Sequence, residues 1–510
     1  MTVEIPAHLL VRGARPAGAL GLGPVDLRLR DGYVVERGER LRTKGAEVLD
    51  ASGTWVVPGL WDQHVHMGQW AAVERRVDVT GTEGPEEVVS RIATHLATAP
   101  FDPEDEGTLL EGYGWRLAGW SRLPSTAELD AVCGDRPVVL ISGDCHGGWL
   151  STAAYRALGE PVRPGHVDED EWFGMWSRLG ELPQNQRAIR DSTDVVLRRA
   201  ASRGVVGFVD LEYGGRPWRE WPRWVAAGFD QLRIRPATYP PTLDEVLDDG
   251  LASGDVLDES GLVTMGPLKI ISDGSLNTRT AFCCEPFVTD DVLPKPFGKV
   301  NVPLEQLTSL LRRAAGGGLS AAVHAIGDAA LSEALHAYAA SGASGTIEHA
   351  QLVRMEDLPR MAALGVAASV QPAHLLDDRD IMEALWPDRL DRCFAFASMR
   401  DAGVELRMGS DAPVARLDPW ETMAAAVHRS GDERPPWMPD QALSPNHALA
   451  ASTDGGWLRV GERGDLALLA EDPFLDVDVL DPAASADAAA RLRGARVVST
   501  LVGGRVTHEA

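Results

Sequence analysis

Residues 54–66 read TWVVPGLWDQHVH: an apolar run that ends in two histidines, His64 and His66, two positions apart. On a β-strand, residues i and i+2 share a face, so both imidazoles project to the same side at the strand's end. Imidazole is the commonest metal ligand, and an HxH pair closing a buried strand suits a bound ion. Two incidental histidines at a strand end are the plain alternative for this pair taken alone.

Working outward, seven further runs have the same form, an apolar strand meeting a polar turn: GVVGFVDLE, QLRIRPATYP, MGPLKIISDG, LSAAVHAIG, GTIEHAQL, GVAASVQPAH and VELRMGSDAP. Most are followed by segments with helical spacing, such as VPLEQLTSLLRRAAGGG and AALSEALHAYAASG. Alternating β and α predicts a parallel sheet, and eight such strands predict an α/β TIM barrel with its chemistry at the carboxyl ends of the strands.

Both chain ends show short apolar runs broken by turns, the pattern of antiparallel strands. Residues 1–57 and 454–510 are therefore predicted to form one small β-sandwich, and residues 58–453 the barrel. A leftover run, PVVLISGDCHGG at about 137–148, falls in a long stretch between the first two barrel strands. That stretch, about 67–203, is read as an inserted lobe after strand one and expected to act as a lid over the barrel mouth.

Three more residues at predicted strand ends extend the pair. His324 closes LSAAVH, His349 closes GTIEH, and Asp411 follows VELRMGS. Each alone is readily structural, Asp411 as a turn former before Pro413. Four histidines and a carboxylate at one rim make a metal centre, with Asp411 both ligand and candidate general base. Lys269 sits inside LKII, where an unpaired ammonium is costly to bury, in a chain with only four lysines. It pairs with an acid such as Asp273, has a depressed pKa, or is changed chemically; carbamylation by CO₂ would make it an anionic bridging ligand.

Composition narrows the function. The 49 basic and 75 acidic residues give a formal charge of −26, which argues against nucleic acid or an anionic membrane as partner. No run approaches the roughly 18 apolar residues of a membrane span. The amino terminus lacks a secretory-signal pattern, so a cytoplasmic location is expected. Five cysteines without CxxC spacing argue against a disulfide framework or a thiolate zinc site. A small-molecule substrate is the expected partner, with a homo-oligomer left open.

These motifs, in the order PGLWDQHVHM, LKIISDGSLNTRTA, AAVHAIGDAA, IEHAQL, SVQPAH, GSDAPV, GERGDLALLAEDP and VVSTLVGGRV, resemble the amidohydrolase superfamily over nearly the whole chain. The likeness is to its YtcJ-like branch, which includes N-substituted formamide deformylases. The resemblance implies two divalent ions: His64, His66 and Asp411 on one, His324 and His349 on the other, with carbamylated Lys269 bridging. Zinc is the expected metal, although nitrogen and oxygen ligands also suit iron, manganese or cobalt. It also implies a pocket lined by Asp273, Ser275, Arg279, Gln371, His374 and, from the inserted lobe, His146; Asp273 and Arg279 bracing the loop instead is the competing reading. The familiar DGSLGSRTA reads DGSLNTRTA here, the DGH-type segment reads GDCHGGW, and the GWGWD-like segment reads GYGWR at 112–116, so substrate preference is expected to be shifted.

The implied reaction is attack of metal-bound hydroxide on the carbonyl of a small amide, formamide or cyclic amide, with Asp411 moving the proton from nucleophile to leaving nitrogen. Two rivals are weighed. A mononuclear deaminase of the same superfamily would not need Lys269 and would want a proton-shuttling acid after the strand-five histidine, where this chain offers only Asp328. A non-catalytic barrel scaffold would show lost ligands, and all six positions are filled. A Cys145–His146 dyad is weaker still, because neighbours on a strand face opposite ways.

Overall fold

The computed structural model describes residues 8–19, 21–73, 76–98, 109–117, 120–181, 183–289, 295–474 and 476–510. The chain forms two compact units, one of residues 1–66 with 197–510, the other of residues 67–196.

In the first unit, eight parallel strands alternate with helices, the plan of a TIM-barrel-type α/β fold. They are β1 (Leu60–Val65), β2 (Val205–Asp210), β3 (Arg233–Pro236), β4 (Leu268–Ile271), β5 (Ala321–Ala325), β6 (Gly345–His349), β7 (Ala367–Val370) and β8 (Leu406–Met408). One sheet runs in the order β3, β2, β1 and another from β4 through β8 in sequence order. Parallel bridges Thr238–Leu268 and Val65–Ala412 join residues beyond β3 to β4 and the end of β1 to the segment after β8.

The two faces of these strands differ. Leu268, Ile270, Val323 and Ile347 belong to the large apolar core shared with the helices, while Ala322 packs with Val209, Leu211 and Ala237 in a separate small cluster. By alternation Lys269, Ala322, His324, Thr346 and Glu348 lie on the face opposite the large core. The helix Leu304–Gly316 buries Leu307, Leu310, Leu311 and Ala314, a 3/4-spaced stripe. The helix Asp328–Ser341 ends at Gly342, whose φ of 71° is the left-handed C-cap conformation. From it the Tyr338 hydroxyl donates to the carbonyls of Ala321 (3.0 Å) and Thr346 (2.8 Å), tying the helix to β5 and β6.

The stretch 54–66 is not one strand. It breaks at Gly59, because Trp55–Pro58 pairs antiparallel with Leu466–Leu469 whereas β1 pairs parallel with β2. A Cβ at Gly59 would stand 2.4 Å from the Val206 methyls, so the crossing needs glycine. Strands from both chain ends share one eight-stranded sheet around a small core that includes Leu9, Val11, Leu27, Leu29, Leu466, Leu468 and Leu501.

The second unit has a five-stranded sheet in the order Val167–Asp168, Gly147–Leu150, Val138–Ser142, Leu110–Trp115, Val77–Asp78. The run at 137–148 is a hairpin rather than a single strand: Val138–Ser142 turns through Gly143–His146 into an antiparallel partner. Cys145 has a φ of 64°, and its N–H donates to the Ser142 carbonyl at 2.9 Å. Cys145 and His146 thus sit in a turn, not on a strand. Among the described residues no helix is long and apolar enough to cross a membrane.

Candidate metal centre

His64 is the penultimate residue of β1, and its backbone carbonyl accepts from the Asp411 N–H at 2.8 Å while the His66 N–H donates to the Ala412 carbonyl at 2.9 Å. These two bonds bring the ends of β1 and β8 together although they are far apart in sequence. Asp62 strengthens the junction, its carboxylate accepting from the N–H groups of Ser410 (2.9 Å) and His64 (3.1 Å). Burial pushes the Asp62 carboxyl up to about 7 against those bonds. A Cβ on Gly409 would lie 2.7 Å from the His64 nitrogen, so glycine is required where the two strands close on each other.

The side chains then converge. His66 Nε2 lies 3.1 Å and His64 Nε2 3.4 Å from Asp411 Oδ1. The His349 ring is 4.9 Å from that of His64 and 4.6 Å from that of His324. His374 stacks over His349 at 6.1 Å and holds its Nε2 3.9 Å from Asp411 Oδ2. Two ligand groups result, His64 with His66 and Asp411, and His349 with His374 and Asp411, each compact enough to hold an ion. Two of these residues are in the left-handed region, His349 (φ 71°) and Asp411 (φ 58°), strain of the kind that collects at functional sites.

Electrostatics follow from burial and crowding. Burial would raise the Asp411 carboxyl, but the imidazoles of His64, His66 and His349 hold it well below the usual carboxylate range. Burial, with His324 and His64 beside it, holds His349 well below the usual histidine range. His66 is the exception: burial lowers it, yet the Asp411 hydrogen bond and charge leave it raised.

Lys269 is 2% exposed, two residues deeper on its face than the Ile271 that registers with His324. Burial lowers its ammonium pKa, with Glu348 and Asp411 opposing. The ion pair with Asp273 does not form. Asp273 instead accepts from the N–H groups of Phe282 (2.9 Å), Ile326 (3.1 Å) and Gly327 (2.9 Å), a brace between the loops after β4 and β5. Burial raises its carboxyl to about 7. His324 turns its Nε2 to the Gly274 carbonyl at 3.1 Å, close to that brace.

Of the predicted pocket residues, Gln371 is buried beside the centre, its Nε2 3.4 Å from His64 Nδ1 and 3.2 Å from the Ser369 carbonyl. Ser275 lies in the loop after β4, its hydroxyl 2.8 Å from that of Thr278, and Arg279 follows with a φ of 57°. His146 belongs to the second unit, its ring against Phe173 at 5.3 Å and its Nδ1 3.4 Å from Glu169.

Sequence reasoning missed Glu348. It is 1% exposed, and its Oε2 lies 2.7 Å from His64 Nδ1. Burial would raise this carboxyl, but the hydrogen bond and charge of His64 and the charge of Lys269 keep it below its ordinary value. The signal was an acid between Ile347 and His349 at the buried end of GTIEH.

The donor set fits a divalent cation. Lys269 Nζ and His374 Nε2 are buried without a hydrogen-bond partner among the described residues, which is costly unless something else satisfies them. Imidazole and carboxylate donors match zinc and its neighbours.

The sequence profile of the amidohydrolase family matches residues 47–508. The Bacillus subtilis protein YtcJ is 24% identical, covering 94% of this chain and 95% of its own. The N-substituted formamide deformylase of Arthrobacter pascens is 26% identical over 91% of this chain and 90% of its own. An uncharacterized metal-dependent hydrolase from Pyrococcus horikoshii superposes with a TM-score of 0.75 at 25% identity, covering 93% of this chain and 98% of that one.

Proposed function

Because the chain belongs to the amidohydrolase family, in its YtcJ-like branch, we propose that it hydrolyses a carbon–nitrogen bond in a small amide, formamide or cyclic amide. The observation that carries this reading is the convergence of His64, His66 and Asp411 beside a buried, unpartnered Lys269. We read the eight strands as closing into a barrel, a closure the two linking bridges support, and the end strands as a small sandwich domain.

His64, His66 and Asp411 would hold one ion, and His324 and His349 a second, with Lys269 as a further candidate ligand. Depressed ammonium basicity favours the free amine, which adds to CO₂ with loss of one proton to give a carbamate anion. When bound, divalent ions polarise a carbonyl oxygen and lower the pKa of water from 15.7 to about 7. Zinc is the ion we expect.

The chain's own groups then handle protons and orientation. Asp411, ionised and set among imidazoles, takes a proton from the attacking water and returns it to the departing nitrogen. His374 and Gln371 present polar atoms at the same rim and would contact the substrate, as would Ser275 and Arg279. Asp273 supports the loop that carries Ser275.

The mononuclear deaminase loses its shuttle. Asp328 is fully buried, and its two oxygens accept from the Cys284 N–H (2.8 Å) and Arg392 (3.1 Å), so both are already engaged.

Metal analysis of protein purified without chelator, with a hydrolysis screen over N-acyl, N-formyl and cyclic amides, tests the proposal. Two equivalents of metal and chelator-sensitive turnover of at least one class are expected. Protein with no bound metal and no such turnover would end it.

A further inference from the structure

Neighbouring residues on a strand normally face opposite ways, yet Glu348 and His349 both reach the His64 ring. The backbone explains this. Glu348 keeps the interior position that alternation gives it, in register with His324 on β5 and Ser369 on β7. His349 leaves the extended region at a φ of 71°, so its ring swings onto the same side. The strain therefore places a ligand candidate and a buried carboxylate on one imidazole.

A neutral imidazole carries one proton, and its position decides which nitrogen can bind an ion. His64 Nδ1 has Glu348 Oε2 at 2.7 Å, while His64 Nε2 has Asp411 Oδ1 at 3.4 Å. A bare Nδ1 would press its lone pair against a carboxylate oxygen at hydrogen-bonding distance. Gln371 is the weaker neighbour of Nδ1: its Nε2 stands 3.4 Å away, against 2.7 Å for the charged Glu348 oxygen, and it also donates to the Ser369 carbonyl. The other oxygen of Glu348 accepts from the Thr346 hydroxyl, which fixes the carboxylate's rotation.

We propose that Glu348 is a positioning residue for the metal centre: it fixes the His64 proton on Nδ1 and so leaves the Nε2 lone pair aimed at the Asp411 side. This rests on the metal-dependent reading above. Such partners orient the ring and raise ligand basicity, and their loss costs about 10- to 100-fold in metal affinity.

The test uses full-length protein, stripped of metal and labelled with ¹⁵N-histidine, with the His64 resonances assigned by difference against H64Q. In the wild type, His64 carries its proton on Nδ1. In E348L the preference for that tautomer is lost, and zinc affinity, read by chelator competition, falls about 10- to 100-fold. In E348Q the amide oxygen still accepts from Nδ1, so the tautomer is kept while the loss of charge weakens zinc several-fold. This variant and the wild type decide the matter even where E348L does not fold. Wild-type protein that takes up zinc with His64 protonated on Nε2 overturns the proposal, as does E348L or E348Q with unchanged tautomer and unchanged zinc affinity. Wild-type protein that takes up no zinc overturns the parent reading instead.

Discussion

His66 Nε2 lies 3.1 Å from Asp411 Oδ1, joining the end of β1 to the segment after β8. The contact is made possible by backbone pairing beneath it, Asp411 N–H to the His64 carbonyl at 2.8 Å, which does not depend on either side chain. Side-chain substitutions here therefore test chemistry with little change in architecture.

Asp411→Asn keeps the shape of the side chain and removes the proton acceptor. Turnover is expected to fall by about 10²- to 10⁴-fold, the usual range for a positioned acid–base group, and metal content to fall with it. Steady-state kinetics with metal analysis on the same sample check this; wild-type turnover in the variant would remove Asp411 from the mechanism.

Lys269→Met replaces a buried, unpartnered amine with an apolar chain of similar length. Metal-free K269M should be more stable than metal-free wild type by about 1–3 kcal/mol, because an uncompensated polar group leaves the interior. It should also fail to take up a second equivalent of metal. Urea denaturation in chelator and metal titration read the two effects separately. A less stable variant would mean that Lys269 has a partner in solution.

The pattern was legible because burial and alternation leave a strong mark: His64, His324, His349 and Asp411 each stand where an apolar run meets a turn, and Lys269 interrupts an apolar strand. Glu348 escaped because alternation assigns Glu348 and His349 to opposite faces, and only a positive φ at His349 overrides it. The break at Gly59 escaped for a related reason: TWVVP and LWDQHV are equally apolar, and their different partners are set by tertiary pairing. The hairpin at 138–150 was hidden by its turn, GDCH, which keeps φ positive at Cys145 rather than at a glycine.

Gly409→Ala tests the junction directly. The added carbon would sit 2.7 Å from the His64 nitrogen and 2.9 Å from both His64 Cβ and Asp62 Oδ1, so the backbone of β1 or β8 must shift. A loss of about 1–3 kcal/mol in stability is expected from overpacking, with zinc uptake reduced because His64 and Asp411 move apart. A variant with wild-type stability and zinc uptake would show that the two strands have slack.

Glu128 gives a pH prediction away from the metal centre. It closes a capping box with Ser125, whose N–H and hydroxyl both donate to Glu128 at 2.8 Å, and it pairs with Arg122. The Arg122 hydrogen bond is the main cause of a carboxyl lowered to about 2 from its ordinary 4.5. The folded state thus binds this proton more weakly than the unfolded state, so the stabilisation is complete above pH 4.5 and is lost as pH falls through 4.5 towards 2. Discounted for solvent screening, it amounts to about 1 kcal/mol. Glu128→Gln should therefore reduce amide-exchange protection in the helix Thr126–Cys133 by about fivefold at pH 7, and the gap to wild type should narrow below pH 4.5. A gap that is constant from pH 7 to pH 3 would assign the stabilisation to shape and hydrogen bonding rather than to charge.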